Sequence, residues 1–331
     1  MSKLNLNINN NSSTLKYQQL VDAIVDAIGK NQLKQEEMLP SVNQVMQETQ
    51  LSRDTVFKAY AELKKRGIVE SVPNRGYFVK HKITKVFLFL DTFKAYKEVL
   101  YHAFLNHLPK DVSVDLQFHH YNIRNFERTI DESLGKYSKY IVMNFDHPQV
   151  PKIIAKIPTE QLLIIDWKIR ASKNLSAVFQ NFGTAIYKCL SNKIDLIKKY
   201  DEFVFYYPVF TYHPKEAIDF FRKFCADNNI AHSAIFNKDE FLVKSGKLYF
   251  LVSDRTLADY LDQCAEKGFT PGKETGVISY NETPMKKYVK NGIAVMSTNF
   301  ELMGQKAAEF VKSNQPMQFE VPTELKIRSS I

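Results

Sequence analysis

A chain of 331 residues exceeds one average domain and predicts two or three. Its 44% hydrophobic and 24% charged residues are an ordinary globular balance, and no stretch reaches the ~18–20 apolar residues of a membrane span. The net charge of +9 is by itself weak evidence for a nucleic-acid partner, and its distribution says more, while Cys189, Cys225 and Cys264, widely spaced and without a C-x-x-C pair, argue against a disulfide framework or a zinc site.

Residues 1–13 are polar and Asn-rich and read as a disordered leader. They lack the apolar core of a signal peptide, which predicts a cytoplasmic protein. Thr14 is placed to cap a helix from about 15 to 30, with Tyr17, Leu20, Val21, Ile24, Val25 and Ile28 on one face. Residues 31–39 read as a loop. Ser41 caps a second helix carrying Val42, Val45 and Met46. After Thr49-Gln50-Leu51, Ser52 caps a third, with Val56, Ala59, Tyr60 and Leu63 at helical spacing. Gly67 suits a left-handed helix terminus. Ile68 to Val72 reads as a strand, Pro73-Asn74-Arg75-Gly76 as a turn and Tyr77-Phe78-Val79 as the returning strand. This is a winged helix-turn-helix over residues 14–80, whose third helix, about 52–66, fits a DNA major groove.

The charge follows this pattern. Residues 51–82 hold eight Lys/Arg against three acids, a net of +5, whereas residues 1–50 hold four bases against five acids. The candidate DNA-binding residues are Ser41, Asn43, Ser52, Arg53, Thr55, Lys58, Arg75, Gly76 and Tyr77. Lys64, Lys65 and Arg66 read either as a solvated helix end or as phosphate contacts.

Residues 81–83 form a linker. From 84 to 331, strands alternate with amphipathic helices. The strands are 84–90, 112–118, 139–143, 161–166, 202–206, 232–236, 247–252, 275–279 and 293–297, and residues 316–331 read as a short tail strand. The helices include 95–108, 123–136, 182–199, 214–228, 255–267 and 300–314. Apolar strands between helices predict parallel sheets covered on both faces, and nine of them predict two stacked α/β lobes. Ligands of such folds bind past the strand ends. The candidate effector-binding residues are therefore Thr92, Phe93, Phe145, Asp166, Trp167, His213, Ser253, Asp254, Asn281 and Glu282. Trp167 either stacks on a ligand ring or fills the core. Asp254 can cap a helix and can also accept ligand hydroxyls. His119-His120 read as strand-end residues without a metal.

The first 80 residues resemble the GntR family of bacterial transcription regulators. The matching pieces are Tyr17-Gln18-Gln19-Leu20, Leu39-Pro40-Ser41, Leu51-Ser52-Arg53-Asp54-Thr55-Val56, Ala61-Glu62-Leu63 with Gly67-Ile68-Val69, and Arg75-Gly76-Tyr77-Phe78-Val79. The resemblance implies DNA contacts at Arg53, Arg75 and Gly76. Asn43 stands where the family commonly has Arg, which implies an altered operator preference. Residues 83–314 resemble the effector domain of the LacI family, which shares its fold with periplasmic solute-binding proteins. Val277 to Pro284, Asn299 to Gly304, Val252 to Arg255, Leu163 to Trp167 and Gln180 to Gly183 carry this likeness. The family's sugar-clamping Arg is missing, with His213 or Lys215 in its region.

Together these imply an α/β protein, an N-terminal winged helix-turn-helix plus a two-lobed periplasmic-binding-protein-like (LacI-type) domain, similar in arrangement to arabinose repressors. The implied function is a homodimeric repressor of a carbohydrate-utilisation operon. Its partners are double-stranded DNA with a pseudo-palindromic operator and a small neutral sugar, with no cofactor, no metal and no membrane. No Walker A loop, G-x-G-x-x-G or G-x-S-x-G occurs, and 11 glycines leave little for a phosphate cradle. Two rivals remain: an α/β enzyme with a DNA-binding head, and a sensor domain reduced to a dimerisation scaffold.

Overall fold

The computed structural model describes residues 6, 8, 9, 12, 14–29, 32–34, 36–73, 75–80, 84–110, 112–168, 175–313 and 315–331. The linker 81–83, Asn74 of the expected turn and most of the leader fall outside them. The contacts divide the chain at Thr84/Lys85 into two units.

The first unit is built on α1 (Lys16–Gly29), α2 (Val42–Thr49) and α3 (Arg53–Lys65), followed by β1 (Val69–Val72) and β2 (Gly76–Val79). Ser41 caps α2 in a capping box with Gln44, and Ser52 caps α3. Gln50 ends α2 in the left-handed region at φ 58°, which turns the chain into α3. Gly67 ends α3 at φ 69°, and the Ile68 amide reaches back to the Leu63 carbonyl at 3.0 Å, a Schellman closure. Leu20, Val21, Ile24, Val45, Val56, Tyr60 and Leu63 form the core. Two expectations are corrected here. Residues 36–39 are not a plain loop: Met38 bridges Phe78 antiparallel, and the Leu39 amide donates to the Tyr77 carbonyl at 2.8 Å. They extend the wing because β2 would otherwise leave an unpaired edge. In the leader, Leu6 is buried in the core and Ile8 packs on it, so a disordered 1–13 does not hold for those residues.

The second unit runs β3 (Thr84–Leu90), α4 (Ala95–Asn106), β4 (Val112–Phe118), α5 (Ile123–Ser133), β5 (Lys139–Met143), α6 (Val150–Ile154), β6 (Leu162–Asp166) and β7 (Ser176–Phe179). It continues with α7 (Thr184–Ser191), α8 (Ile194–Ile197), β8 (Glu202–Tyr206), α9 (Glu216–Asp227), β9 (His232–Ile235), β10 (Lys247–Leu251), α10 (Asp254–Lys267), β11 (Gly276–Tyr280) and β12 (Ala294–Thr298). It closes with α11 (Phe300–Lys312), β13 (Gln318–Glu320) and β14 (Thr323–Lys326). Two six-stranded sheets result, ordered β13-β7-β6-β5-β3-β4 and β14-β12-β11-β10-β8-β9. Each is covered on both faces, by separate apolar clusters. No helix among the described residues is long and apolar enough to cross a membrane.

The expected helix 182–199 is broken between α7 and α8, and the expected single tail strand is two. β13 joins β7 in parallel, and β14 joins β12 antiparallel in the other sheet. Val321-Pro322 carries the chain between them, and Pro322 has no amide to offer either ladder.

Inside the first sheet's helical cover, α11 lies directly on α4. A Cβ on Gly304 would stand 2.3 Å from the Leu100 carbonyl oxygen and 2.9 Å from the Phe104 nitrogen. Gly304→Ala should force the helices apart and cost about 1–3 kcal/mol, the usual size of overpacking. Denaturant titration checks this; unchanged stability would refute the close approach.

Candidate functional site

In the first unit the exposed N-terminal turn of α3 lies beside α2. Ser52 Oγ accepts the Thr55 amide at 3.2 Å and lies 2.8 Å from Thr55 Oγ1. Ser41 Oγ accepts the Gln44 amide at 3.2 Å. These hydroxyls hold the helix ends in place, so Arg53, Asn43 and Lys58 carry the free polar surface. The Arg53 guanidinium stands 5.5 Å from the Phe57 ring centre, and Lys58 Nζ 4.4 Å from that of Tyr17. On the wing, Gly76 adopts φ 113° and the Arg75 guanidinium lies 5.4 Å from the Phe78 ring. Tyr77 is half-buried, and its ring packs edge-on against Tyr60 at 4.9 Å. The basic run 64–66 is partly occupied, Lys64 by Ser71 at 2.8 Å and Arg66 by Glu62 at 2.8 Å.

In the second unit a cavity of about 610 Å³ opens where the strand ends of both lobes face each other. That is within the usual range for small-molecule sites, ~300–1,000 Å³. Thr92, Phe145, Asp166, Trp167, His213, Ser253, Asp254 and Asn281 line it. Two expected residues do not. Phe93 packs beside Tyr101 and Phe118, with ring centres 5.9 and 5.8 Å away. Glu282 is held by Arg328, whose Nη1 lies 3.2 Å from its Oε1.

The floor of the first lobe is an ion pair. Asp91 binds the buried Lys97 ammonium and the Tyr121 hydroxyl. Burial pushes the Asp91 carboxyl up, but Lys97, Tyr121 and the Thr92 amide together hold it below the usual range. His119 donates from Nε2 to the Met143 carbonyl at 2.9 Å and accepts the Tyr121 amide at Nδ1, 3.1 Å away. Burial lowers its pKa to about 4, so it stays neutral. Asp166 is different: burial raises its pKa to about 6 against the pull of Lys97 and Gln180. In the second lobe Lys286 pairs with Asp254 at 2.8 Å and donates to the carbonyls of Tyr280 and Asn281 at 2.9 and 2.7 Å. Ser253 caps α10. Burial, reinforced by Lys94, lowers the His213 pKa to about 3.

Three lining side chains have a buried polar atom without a partner among the described residues: Asn144 Oδ1, His213 Nε2 and Asn281 Oδ1. Such atoms are costly unless a ligand or water satisfies them. Aromatic faces from Trp167, Phe145, Tyr96 and Phe300 alternate with them. Asp166, the last residue of β6, sits at φ 74° and Asn281, just past β11, at φ 60°, a backbone state that carries some conformational cost. At one flank Tyr121 of the first lobe stacks on Tyr212 of the second, with centroids 3.8 Å apart and planes 2° from parallel. The arrangement suits a small ligand that offers hydroxyls to the polar atoms and C–H faces to the rings. Lys94, Tyr96, Tyr121, Tyr212 and Arg255 were not singled out as site residues by sequence reasoning; they come from loops and helix starts that carry no period. No group of three or more His, Cys, Asp or Glu among the described residues is placed to hold a metal.

Residues 16–79 match the family model of bacterial regulatory proteins, gntR family. An uncharacterized HTH-type transcriptional regulator of Bacillus subtilis, YcxD, is 34% identical over 70 residues, 21% of this chain. The chain spans 16% of that relative's length. The trehalose repressor of Escherichia coli superposes with TM-score 0.63 at 11% identity, over 74% of this chain and 100% of that one. A LacI family transcriptional regulator from Lactobacillus casei with bound sucrose superposes with TM-score 0.60 at 12% identity, over 75% and 100%. The chain thus carries a GntR-type helix-turn-helix segment followed by a domain of LacI-type fold.

The electrostatics predict a pH effect. The Asp166 pKa is raised from the ordinary ~3.9 to about 6, so its proton stabilises the fold below pH ~4, and that stabilisation is lost as pH rises through about 6. Asp166→Asn should therefore be more stable than the wild type at pH 7.5, by up to roughly 3 kcal/mol, with the advantage gone near pH 4. Denaturant titrations at both pH values check this, and a pH-independent difference would refute it.

Proposed function

We propose that the protein is a sugar-responsive transcription repressor, a regulator and not an enzyme, working in the cytoplasm as a homodimer. Two copies of α3 enter successive major grooves of a pseudo-palindromic operator, with Arg53, Asn43 and Lys58 facing the DNA. The Arg75-Gly76 wing tip lies along the adjacent minor groove, where negative potential favours Arg. The single observation that carries the ligand reading is the set of unpartnered polar atoms on Asn144, His213 and Asn281, in one cleft with Trp167. A polyhydroxylated, neutral ring satisfies both the polar atoms and the aromatic faces. The sucrose in the Lactobacillus casei relative supports the choice of class. The same atoms weigh against a cleft that only scaffolds a dimer, since a scaffold would gain by replacing them with apolar groups.

The sugar controls the operator only through its different affinity for the two lobe arrangements. A coupling of ~1–3 kcal/mol changes operator affinity roughly 5–150-fold.

Arg53→Ala should cost about 1–3 kcal/mol on the specific operator and relax its base preference. Footprinting with a titrated duplex measures it, and an unaltered affinity would reject this docking. Arabinose, fucose, xylose, ribose, sucrose and trehalose, each at about 100-fold over its Kd, should include one that adds roughly 2.7 kcal/mol to the second unit's stability. A thermal-shift series reads this. If the same sugar still stabilises a His213→Leu/Asn144→Leu variant to the full extent, the ligand lies elsewhere.

A further inference from the structure

The described chain passes between the two lobes three times, after β7, after β12 and between β13 and β14. The first passage begins at Gln180, the second at Thr298 and the third ends at Thr323. Backbone bonds link them in pairs: the Val321 amide donates to the Phe179 carbonyl at 2.7 Å, and the Asn299 amide to the Pro322 carbonyl at 3.1 Å. Side chains link all three. Gln180 is 5% exposed, and its Oε1 accepts the Thr298 hydroxyl at 2.6 Å. Thr298 has spent its one proton there, so Thr323 donates to Thr298 Oγ1 across 2.8 Å. Gln180 Oε1 also faces the Tyr280 hydroxyl at 3.3 Å, at the end of β11.

The other end of the same amide points at the cleft. Gln180 Nε2 donates to Asp166 Oδ1, and the Gln180 backbone amide donates to the Asp166 carbonyl at 3.0 Å. Asp166 lines the cavity. We infer that Gln180 is the positioning residue that couples the cleft carboxylate to all three inter-lobe passages. Only a carboxamide fits this place. It donates to a carboxylate on one side and accepts two hydroxyls on the other, where a carboxylate would repel Asp166 and an apolar chain would remove the acceptor that Thr298 and Tyr280 share.

The consequence deepens the ligand reading and takes its functional meaning from it. A group that binds Asp166 competes with Gln180 for the carboxylate. The amide then holds Thr298 and Thr323 differently, and lobe rotation must pass through these passages because they are the covalent connections. Asp166 thus serves both as a ligand contact and as an anchor for the hinge.

The test needs no sugar, so its failure is separable from failure of the ligand reading. Amide hydrogen exchange is measured on the full chain for wild type, Asp166→Asn, Gln180→Met, Thr298→Val and the Asp166→Asn/Gln180→Met double variant. Asparagine keeps the backbone of residue 166 comfortable but replaces a charge-assisted acceptor by a weaker neutral one. In Asp166→Asn the amides of Asn299 and Val321 should exchange about two- to tenfold faster, while those of β10 do not accelerate. Gln180→Met should accelerate the same two amides, and adding Asp166→Asn to it should change nothing more. Thr298→Val, nearly isosteric, should reproduce the effect at Asn299. Hinge amides unmoved by Asp166→Asn, or moved equally with and without Gln180, overturn the coupling; loss of protection throughout β10 in Gln180→Met, with the Thr298→Val hinge unaltered, assigns Gln180 a packing role and overturns it too.

Discussion

A parallel strand covered by helices on both faces can present polar chemistry only at its ends. Every interior position of β5, β11 and β12 is buried, so a charged or amide side chain there would need a partner inside the apolar layers. The first residues past the strands escape this limit. Asp91, Asn144 and Gln180 in one lobe and Asn281 in the other directly follow their strands, Asp166 is the last residue of β6, and Ser253 and Asp254 lie in the turn from β10 into α10. The cleft is therefore a direct result of how the sheets are built. The lysines behind it are buried too, at 1% and 2% exposed: Lys97 neutralises the buried Asp91 at the end of β3, while the Lys286 ammonium is itself satisfied by the exposed Asp254 and by the carbonyls of Tyr280 and Asn281.

Much of this was legible because it depends on period and position. The helical spacing of Val56, Ala59, Tyr60 and Leu63 placed α3, and the apolar runs placed the strands that flank the cleft. What escaped depends on contacts distant in sequence. Glu282 looked like a strand-end ligand contact, but Arg328, 46 positions away, takes its carboxylate. Phe93 follows Asp91 and Thr92 immediately, yet its ring turns outward onto Tyr101 and Phe118. β7 is four residues long and carries no alternation, so nothing in its own sequence separates it from a loop; pairing with β6 and β13 makes it a strand. Tyr77 matched a motif, and its half-buried ring also serves the wing's packing against Tyr60.

The basic face of the first unit shows how a small unit restrains its cations. Arg53, Lys58 and Arg75 each lie against an aromatic ring of the same unit, at 5.5, 4.4 and 5.4 Å. Such contacts contribute ~0.5–1 kcal/mol at exposed sites. They limit the rotamers of long side chains, so less freedom remains to be lost if those cations are ordered on a partner. The capping serines act similarly at a shorter range. Their hydroxyls fix where the helices begin.

The Tyr121–Tyr212 pair sets a time scale. Its rings are nearly face to face, the arrangement that aromatic quadrupoles favour least. The ring–ring electrostatics therefore add little beyond the area the rings bury, so one flank of the cleft is closed by a single side-chain contact between the lobes. Entry past these rings then requires no unfolding and no sheet rearrangement. The dwell time of a small molecule in the cleft would then be governed by its own contacts there.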